Sequence, residues 1–246
     1  MKIKFWLVVI VVALLPFIGD LYSWGIYNNS LFKKEPSKTT EKYITKRVHI
    51  STNNVFNVFV FDKVLNKFGV SLCRPEGKIF YMNSNFFNIT PIGWIVIDGK
   101  TLSKKVRSGG TFYVKNGTPN ISIAQTPKNI EYGSQSILWG IKNSIPNKRL
   151  LKVNHGKILT YRNILGKNKD GDIVIVVSKF GGITSIKDVV EEGIRQGIVN
   201  GILFDGGTSV EYSFNDGVYS TSFFSISKLI KNVFRKYQPM AYVYIN

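Results

Sequence analysis

The stretch Asp172–Gly207, "DIVIVVSKFGGITSIKDVVEEGIRQGIVNGILFDGG", decides how the fold is read. It opens on an apolar run, Ile173 to Val177, that reads as a strand. Thr184 or Ser185 then offers an N-cap, and Asp188, Glu191 and Glu192 place acid in the first half of a helix, where the dipole favours it. Ile186, Val189, Val190 and Ile194 recur at helical spacing and predict one buried face. Gly197 ends the helix, and "GILFD" follows as a second apolar strand. Strand, helix and strand in this order predict a βαβ crossover with parallel strands and right-handed connection. Asp205 then stands at the carboxyl end of a strand, where sheets with parallel strands tend to bind ligands. Read alone, Asp205 with Gly206 and Gly207 reads as a plain turn.

Outward from this unit the chain is mostly short strands. "NVFNVFVFD" (Asn54–Asp62) is apolar on both faces and predicts a central strand. "KFGVSLCR", "KIFYMN", "GWIVIDGK", "GTFYVKNG" and "NISIAQ" follow, parted by turn pairs such as Asp98-Gly99 and Asn116-Gly117. "KILTYRN" and "DIVIVVS" read as strands flanking "ILGKNKDG", with a hairpin turn at Lys169-Asp170-Gly171. A second helix is expected at Ser225–Lys236, and "MAYVYIN" closes the chain as a strand. The expected class is α+β: a single domain with one large, twisted, mixed sheet, few helices and one βαβ crossover. Cys73 is the lone cysteine, so no disulfide forms within the chain, and its strand-like neighbours predict a buried, inert thiol.

The N-terminus carries a different signal. "MKIKFWLVVIVVALLPFIGD" has Lys2 and Lys4 ahead of an apolar run from Phe5 to Gly19. That is the pattern of a signal peptide or an N-terminal membrane anchor over 1–24, with the remainder exported. Residues 25–46 read as a polar, basic linker whose lysines suit an anionic membrane surface. A domain then spans 47–246. The 246 residues carry a formal net charge of +18. From Val48 onward 25 basic residues face 12 acidic ones, so the domain itself is basic. An anionic partner is implied: phosphate, acidic glycan or membrane. Export and the lack of a basic-aromatic recognition module exclude nucleic acid.

Three polar clusters interrupt the apolar pattern. In "MNSNFFNITPIGWIVIDGK", Asn83 and Asn85 end a strand before Phe86 and Phe87. Their amides suit sugar hydroxyls, or they cap a turn. In "YRNILGKNKDG", Arg162 precedes a hairpin, and a guanidinium fork matches phosphate oxygens as a lysine does not. The third cluster is Asp205, Gly206, Gly207, Thr208, Ser209 and Glu211. The chain has no GxxxxGK[ST], no GxGxxG after a strand, no HExxH and no CxxC, so nucleotide-binding, zinc-peptidase and zinc-finger chemistry find no support.

Taken in order, these clusters resemble the motifs of the phosphodiester glycosidase family over about Asn54 to Asn246. "NSNFFNITPIGWIVIDGK" resembles its "NGGFF" segment and the strand after it. "RNILGKNKDGDIVIVVS" resembles its arginine hairpin, and "ILFDGGTSVEY" its "DGGxSs" motif. Ser84 and Asn85 replace the family's paired glycines. "GSQSILWGIKN" matches another family segment at Gln135 and Ser136 without its Gly-Pro. The resemblance implies a hydrolase that splits a sugar from a phosphodiester in a glycan or cell-envelope polymer, releasing sugar and a phosphomonoester. It implies Asp205 and Arg162 as catalytic residues, and Asn83, Asn85, Gly206, Gly207 and Ser209 around the substrate. Glu211 is a candidate second carboxylate. No cofactor or metal is required, although Asp205 and Asp216 could hold a structural calcium ion. The alternative is a membrane-tethered, non-catalytic binder of anionic polysaccharide.

Overall fold

The computed structural model of the protein describes residues 40–44, 47–87, 91–106, 109–152, 157–179, 182–215, 217–220 and 241–246. The segment 1–24, most of the linker and the helix expected at Ser225–Lys236 lie outside the described residues, as does Asp216. No helix among the described residues is long and apolar enough to cross a membrane.

The chain runs through strands β1 (Thr40–Ile44), β2 (Val48–Thr52), β3 (Phe56–Phe61), β4 (Phe68–Ser71), β5 (Phe80–Asn83), β6 (Phe86–Phe87), β7 (Pro91–Ile92), β8 (Ile95–Ile97) and β9 (Lys100–Thr101). It continues with β10 (Gly110–Lys115), β11 (Thr118–Ile123), β12 (Tyr132–Ser136), β13 (Leu138–Lys142), β14 (Ile145–Pro146) and a short helix, α1 (Lys148–Lys152). Then come β15 (Asn163–Asn168), β16 (Ile173–Ser178), α2 (Ile186–Arg195), β17 (Ile198–Leu203), β18 (Glu211–Phe214), β19 (Gly217–Ser220) and β20 (Tyr242–Ile245).

Three main sheets form. The first has eight strands in the order β1-β2-β3-β16-β15-β17-β13-β14. The second has the order β11-β10-β12-β8-β9, and the third β19-β18-β5-β20-β4. Every ladder among the described residues is antiparallel. The expectation of one large mixed sheet therefore gives way to several antiparallel ones. The expected strand-helix-strand unit is β16, α2 and β17. Both strands pair antiparallel with β15, so they point the same way, but β15 lies between them. The hairpin partner of β16 takes the place that a simple crossover would give to β17.

The large sheet buries both faces, which explains why its strands read as continuous apolar runs. Along β16, Ile173, Ile175 and Val177 face the core shared with the two smaller sheets. Val174 and Val176 face a second core under α2, where Val189 and Val190 pack. β3 splits likewise, with Phe59 and Phe61 to the first core and Phe56 and Val58 to the second. Each such side chain contributes about 1.5–3 kcal/mol on burial. The sequence placed α2 well. Ser185 caps it in a full capping box with Asp188.

Two expectations shift locally. β15 starts at Asn163, so "KILTYR" is not strand, apart from a lone bridge between Thr160 and Thr184. The turn at residues 169–171 stands as expected, with Gly171 at φ +94. Cys73 is exposed rather than buried, because β4 ends at Ser71 and the chain turns there, with the Ser71 hydroxyl accepting from the Cys73 amide.

Candidate active site

The last residues of β17 carry the chain out of the large sheet into the loop Phe204–Gly206 and a 3-10 turn, Gly207–Ser209. Two buried asparagines fix that exit. Asn83, at the end of β5 and 1% exposed, donates from Nδ2 to the Asp205 carbonyl at 3.0 Å. Asn163, at the head of β15 and also 1% exposed, donates to the same carbonyl at 3.0 Å. Their other ends are also engaged. Asn83 Oδ1 accepts from the Glu211 amide at 3.0 Å, and Asn163 Oδ1 from the Phe204 amide at 3.1 Å. Two strands from two sheets thus hold the Asp205 carbonyl, and the half-buried Asp205 leaves from a backbone that cannot easily rotate.

Arg162 reaches this loop from the segment just before β15. Its backbone exchanges hydrogen bonds with Ser178 of β16: its amide donates to the serine hydroxyl at 2.9 Å, and its carbonyl accepts at 2.8 Å. Its guanidinium donates to Ile158 O at 3.1 Å and lies against Gly206. A Cβ added to Gly206 would stand 2.9 Å from Tyr161 O and 3.4 Å from Arg162 Nη1, so only glycine lets the two segments meet at this distance. Gly207 has φ +65, and its amide donates to Tyr161 O at 2.8 Å. Ser209, half-buried, donates its amide to Gly206 O at 3.3 Å. Asn83, Arg162, Asp205, Gly206, Gly207 and Ser209 are therefore brought together at one corner.

Asn85 belongs to an adjoining cluster. It is 3% exposed, and its Nδ2 donates to Gln135 O at 2.9 Å and Ile92 O at 3.2 Å. Its Oδ1 accepts from the hydroxyls of Ser84 and Ser134. The Gln135 side chain is likewise committed to backbone, accepting from Trp94 N and exchanging two bonds with Val106. The two residues staple the β7–β8 region to β12.

Glu211 follows the site by two residues and is 2% exposed. Arg74 grips it with both forks, Nε to Oε1 and Nη2 to Oε2, each at 2.8 Å. That bidentate hydrogen bond raises the guanidinium above its ordinary pKa, against the opposing pull of burial. Elsewhere the Tyr132 phenol is raised by its hydrogen bond to Asp98, and Lys167 is lowered by burial and by Lys63. Among the described residues no group of three or more His, Cys, Asp or Glu side chains gathers as a metal would require.

Two participants escaped the sequence. Asn163 was signalled faintly, as an amide heading an apolar strand beside Arg162. Arg74 had no signal, since it pairs with a carboxylate 137 residues away.

The corner and its sheets define a class, a sheet-rich fold with a polar DGG loop at a strand end. The phosphodiester glycosidase family profile matches residues 76–240, and the chain belongs to that family. No curated protein sequence matches significantly. Solved structures share the fold. The zebrafish N-acetylglucosamine-1-phosphodiester alpha-N-acetylglucosaminidase catalytic domain, auto-inhibited by its pro-peptide, aligns with TM-score 0.59 and 14% identity over 84% of this chain and 81% of that one. A hypothetical protein from Synechocystis aligns with TM-score 0.58 and 10% identity, covering 86% of this chain and 64% of that one. An exported protein, so described provisionally, from Burkholderia pseudomallei K96243 aligns with TM-score 0.53 and 10% identity over 80% and 74%.

Proposed function

We propose that the chain is an exported hydrolase that splits a sugar from a phosphodiester in a glycan or cell-envelope polymer. The observation that carries this is the meeting of Arg162 with the Asp205–Gly207 loop across the bare Cα of Gly206. One anion-binding fork and one carboxylate share a corner whose backbone is clamped, in a chain of the phosphodiester glycosidase family.

The bond that breaks joins the anomeric carbon to the bridging oxygen. That oxygen keeps the electron pair and leaves as part of a phosphomonoester, a good leaving group that needs little protonation. One carboxylate then suffices where most glycosidases use two. Arg162 stabilises the charge gathering on the departing phosphate. Asp205 takes the proton of the attacking water, or attacks first and is released by water. Water supplies the hydroxyl of the free sugar in either case. Ser209 orients a phosphate oxygen or sugar hydroxyl, and Gly206 and Gly207 leave the room that a Cβ would fill. Asn83 and Asn163 act by holding the Asp205 carbonyl, and Asn85 by fixing the wall at Gln135. No resident cofactor takes part.

Export is supported by Lys2, Lys4 and the apolar run after them, and by the fold shared with the Burkholderia protein. The linker lysines fit an anionic membrane face. The test is release of phosphomonoester from a panel of sugar phosphodiesters by the full chain and by Asp205→Asn. Cleavage by the natural chain and none by the variant is the expected result. A variant that cleaves as fast as the natural chain overturns the assignment.

A further inference from the structure

An open cleft of about 290 Å³ lies apart from Asp205 and Arg162. It is lined by Lys105, Val106, Ala124, Gln125, Thr126 and Gln135, with Gly109 between its walls. This is near the lower bound of small-molecule sites, about 300 Å³, enough for one small unit. Among the described residues that line it, Lys105 is the one charged side chain and none is acidic, so these residues make the cleft cationic.

The walls are built rather than incidental. The Gln135 amide grips Val106 in both directions, accepting from its N–H and donating to its carbonyl, each at 3.0 Å. Gly109, at φ +106, crosses so close to β12 that a Cβ would overlap Ser136 O. Its carbonyl accepts from the Ala124 amide at 2.9 Å. Ala124 itself sits at φ +61, a left-handed conformation that costs an alanine and that a plain turn would give to glycine. The Thr126 hydroxyl has no hydrogen-bond partner among the described residues, against the rule that buried polar groups are paired. A strained residue, Ala124, and a threonine whose buried hydroxyl is unpaired both belong to the wall of this space.

The cleft is tied to the corner described above through β12. Gln135 O accepts from Asn85, and the neighbouring Ser136 hydroxyl bonds Leu203 O, two residues before Asp205. We infer that this cleft is a second binding site, for a phosphate- or carboxylate-bearing sugar unit of the same polymer that presents its phosphodiester to Asp205. The inference rests on the catalytic role given to that corner. It names the substrate class as a polymer with repeating anions rather than an isolated sugar phosphate.

Calorimetry on the full chain carrying Asp205→Asn reads binding without turnover. The probes are an oligomer of glycerol phosphate and an oligomer of galacturonate, which separate phosphate from carboxylate. Lys105→Glu is compared with Lys115→Glu, the same charge change on an exposed lysine at the other end of β10. The expected result is that one oligomer binds and that Lys105→Glu weakens it about tenfold while Lys115→Glu does not. Which oligomer responds identifies the anion. Equal loss in both variants, or no binding of either oligomer, overturns the proposal. Its fate is separable from that of the catalytic corner. Absence of cleavage by the natural chain would remove the enzyme and leave these titrations to decide the cleft. Cleavage with no effect of Lys105→Glu would remove the cleft and leave the enzyme.

Discussion

Asp205 and Glu211 are two carboxylates six positions apart, and the structure gives them opposite environments. Glu211 lies within β18, sealed from water and clasped by the two forks of Arg74. Asp205 lies in the loop before it, half-buried, with its carbonyl rather than its carboxylate held by Asn83 and Asn163. A carboxylate gripped on both oxygens ties β18 to the segment that follows β4 in the same sheet. Asp205 instead sits on a backbone clamped by two amides, in the loop that meets Arg162 at Gly206. The two corners share Asn83, whose amide binds one at Asp205 O and the other at Glu211 N, so chemistry and scaffold are separable by mutation although they touch.

The largest expected effect breaks the pair cleanly. Asp205→Asn should lower turnover of a sugar phosphodiester by about 10³-fold, the scale of losing a general base. Thermal stability should change far less than turnover, because both amides of the clamp grip the main chain. Arg74→Ala should do the reverse. It strands a buried carboxylate and should cost roughly 2–3 kcal/mol in denaturant unfolding, below the usual figure for buried pairs because Arg74 is partly exposed. A large loss of activity without loss of stability in that variant would mean that Glu211 belongs to the chemistry after all.

The same contrast shows how much could be read from sequence. The helix α2 was legible because its cap, its acids and its apolar spacing are all local. The apolar runs of β3 and β16 were legible because both their faces are covered. The pairing of β15 between β16 and β17 was not, since register is settled by partners far along the chain. Gly166 made Ile164–Asn168 look like a loop. In the sheet its missing side chain leaves room for Ile198, whose Cγ2 would stand 2.4 Å from a Cβ there. At the site, Asp205, Arg162 and the glycines came from the order of motifs. The burial of Asn83 and Asn85, with amides turned to backbone, was invisible because the pattern that marks a sugar-binding amide also marks a structural one.

A smaller effect probes the contact that joins the two halves of the corner. Gly206 has an extended backbone, φ −107, which alanine adopts without strain. What alanine adds is a Cβ against Tyr161 O and Arg162 Nη1. Gly206→Ala should therefore displace the guanidinium and lower kcat about 10- to 100-fold, with a stability loss of about 1 kcal/mol. A compensating variant sharpens the point. Arg162→Lys keeps the charge but lacks the fork, so it should not recover activity in the Gly206→Ala background.

The smallest effect tests the clamp itself. Asn163→Ala removes one of two donors to the Asp205 carbonyl and leaves the Phe204 amide without its acceptor. An orphaned buried amide costs about 1–3 kcal/mol, so the melting temperature should fall. Asn83 still holds the carbonyl, so kcat should fall less than tenfold and KM should barely change. Asn83→Ala leaves the carbonyl with Asn163 alone but also frees Glu211 N, which joins the loop to β18. It should be the more damaging of the two in both stability and kcat, because it loosens the active corner and the scaffold corner at once. Equal effects from the two variants would mean that the clamp acts only through the Asp205 carbonyl. The link through Asn83 to the Arg74–Glu211 pair would then carry no part in holding the site.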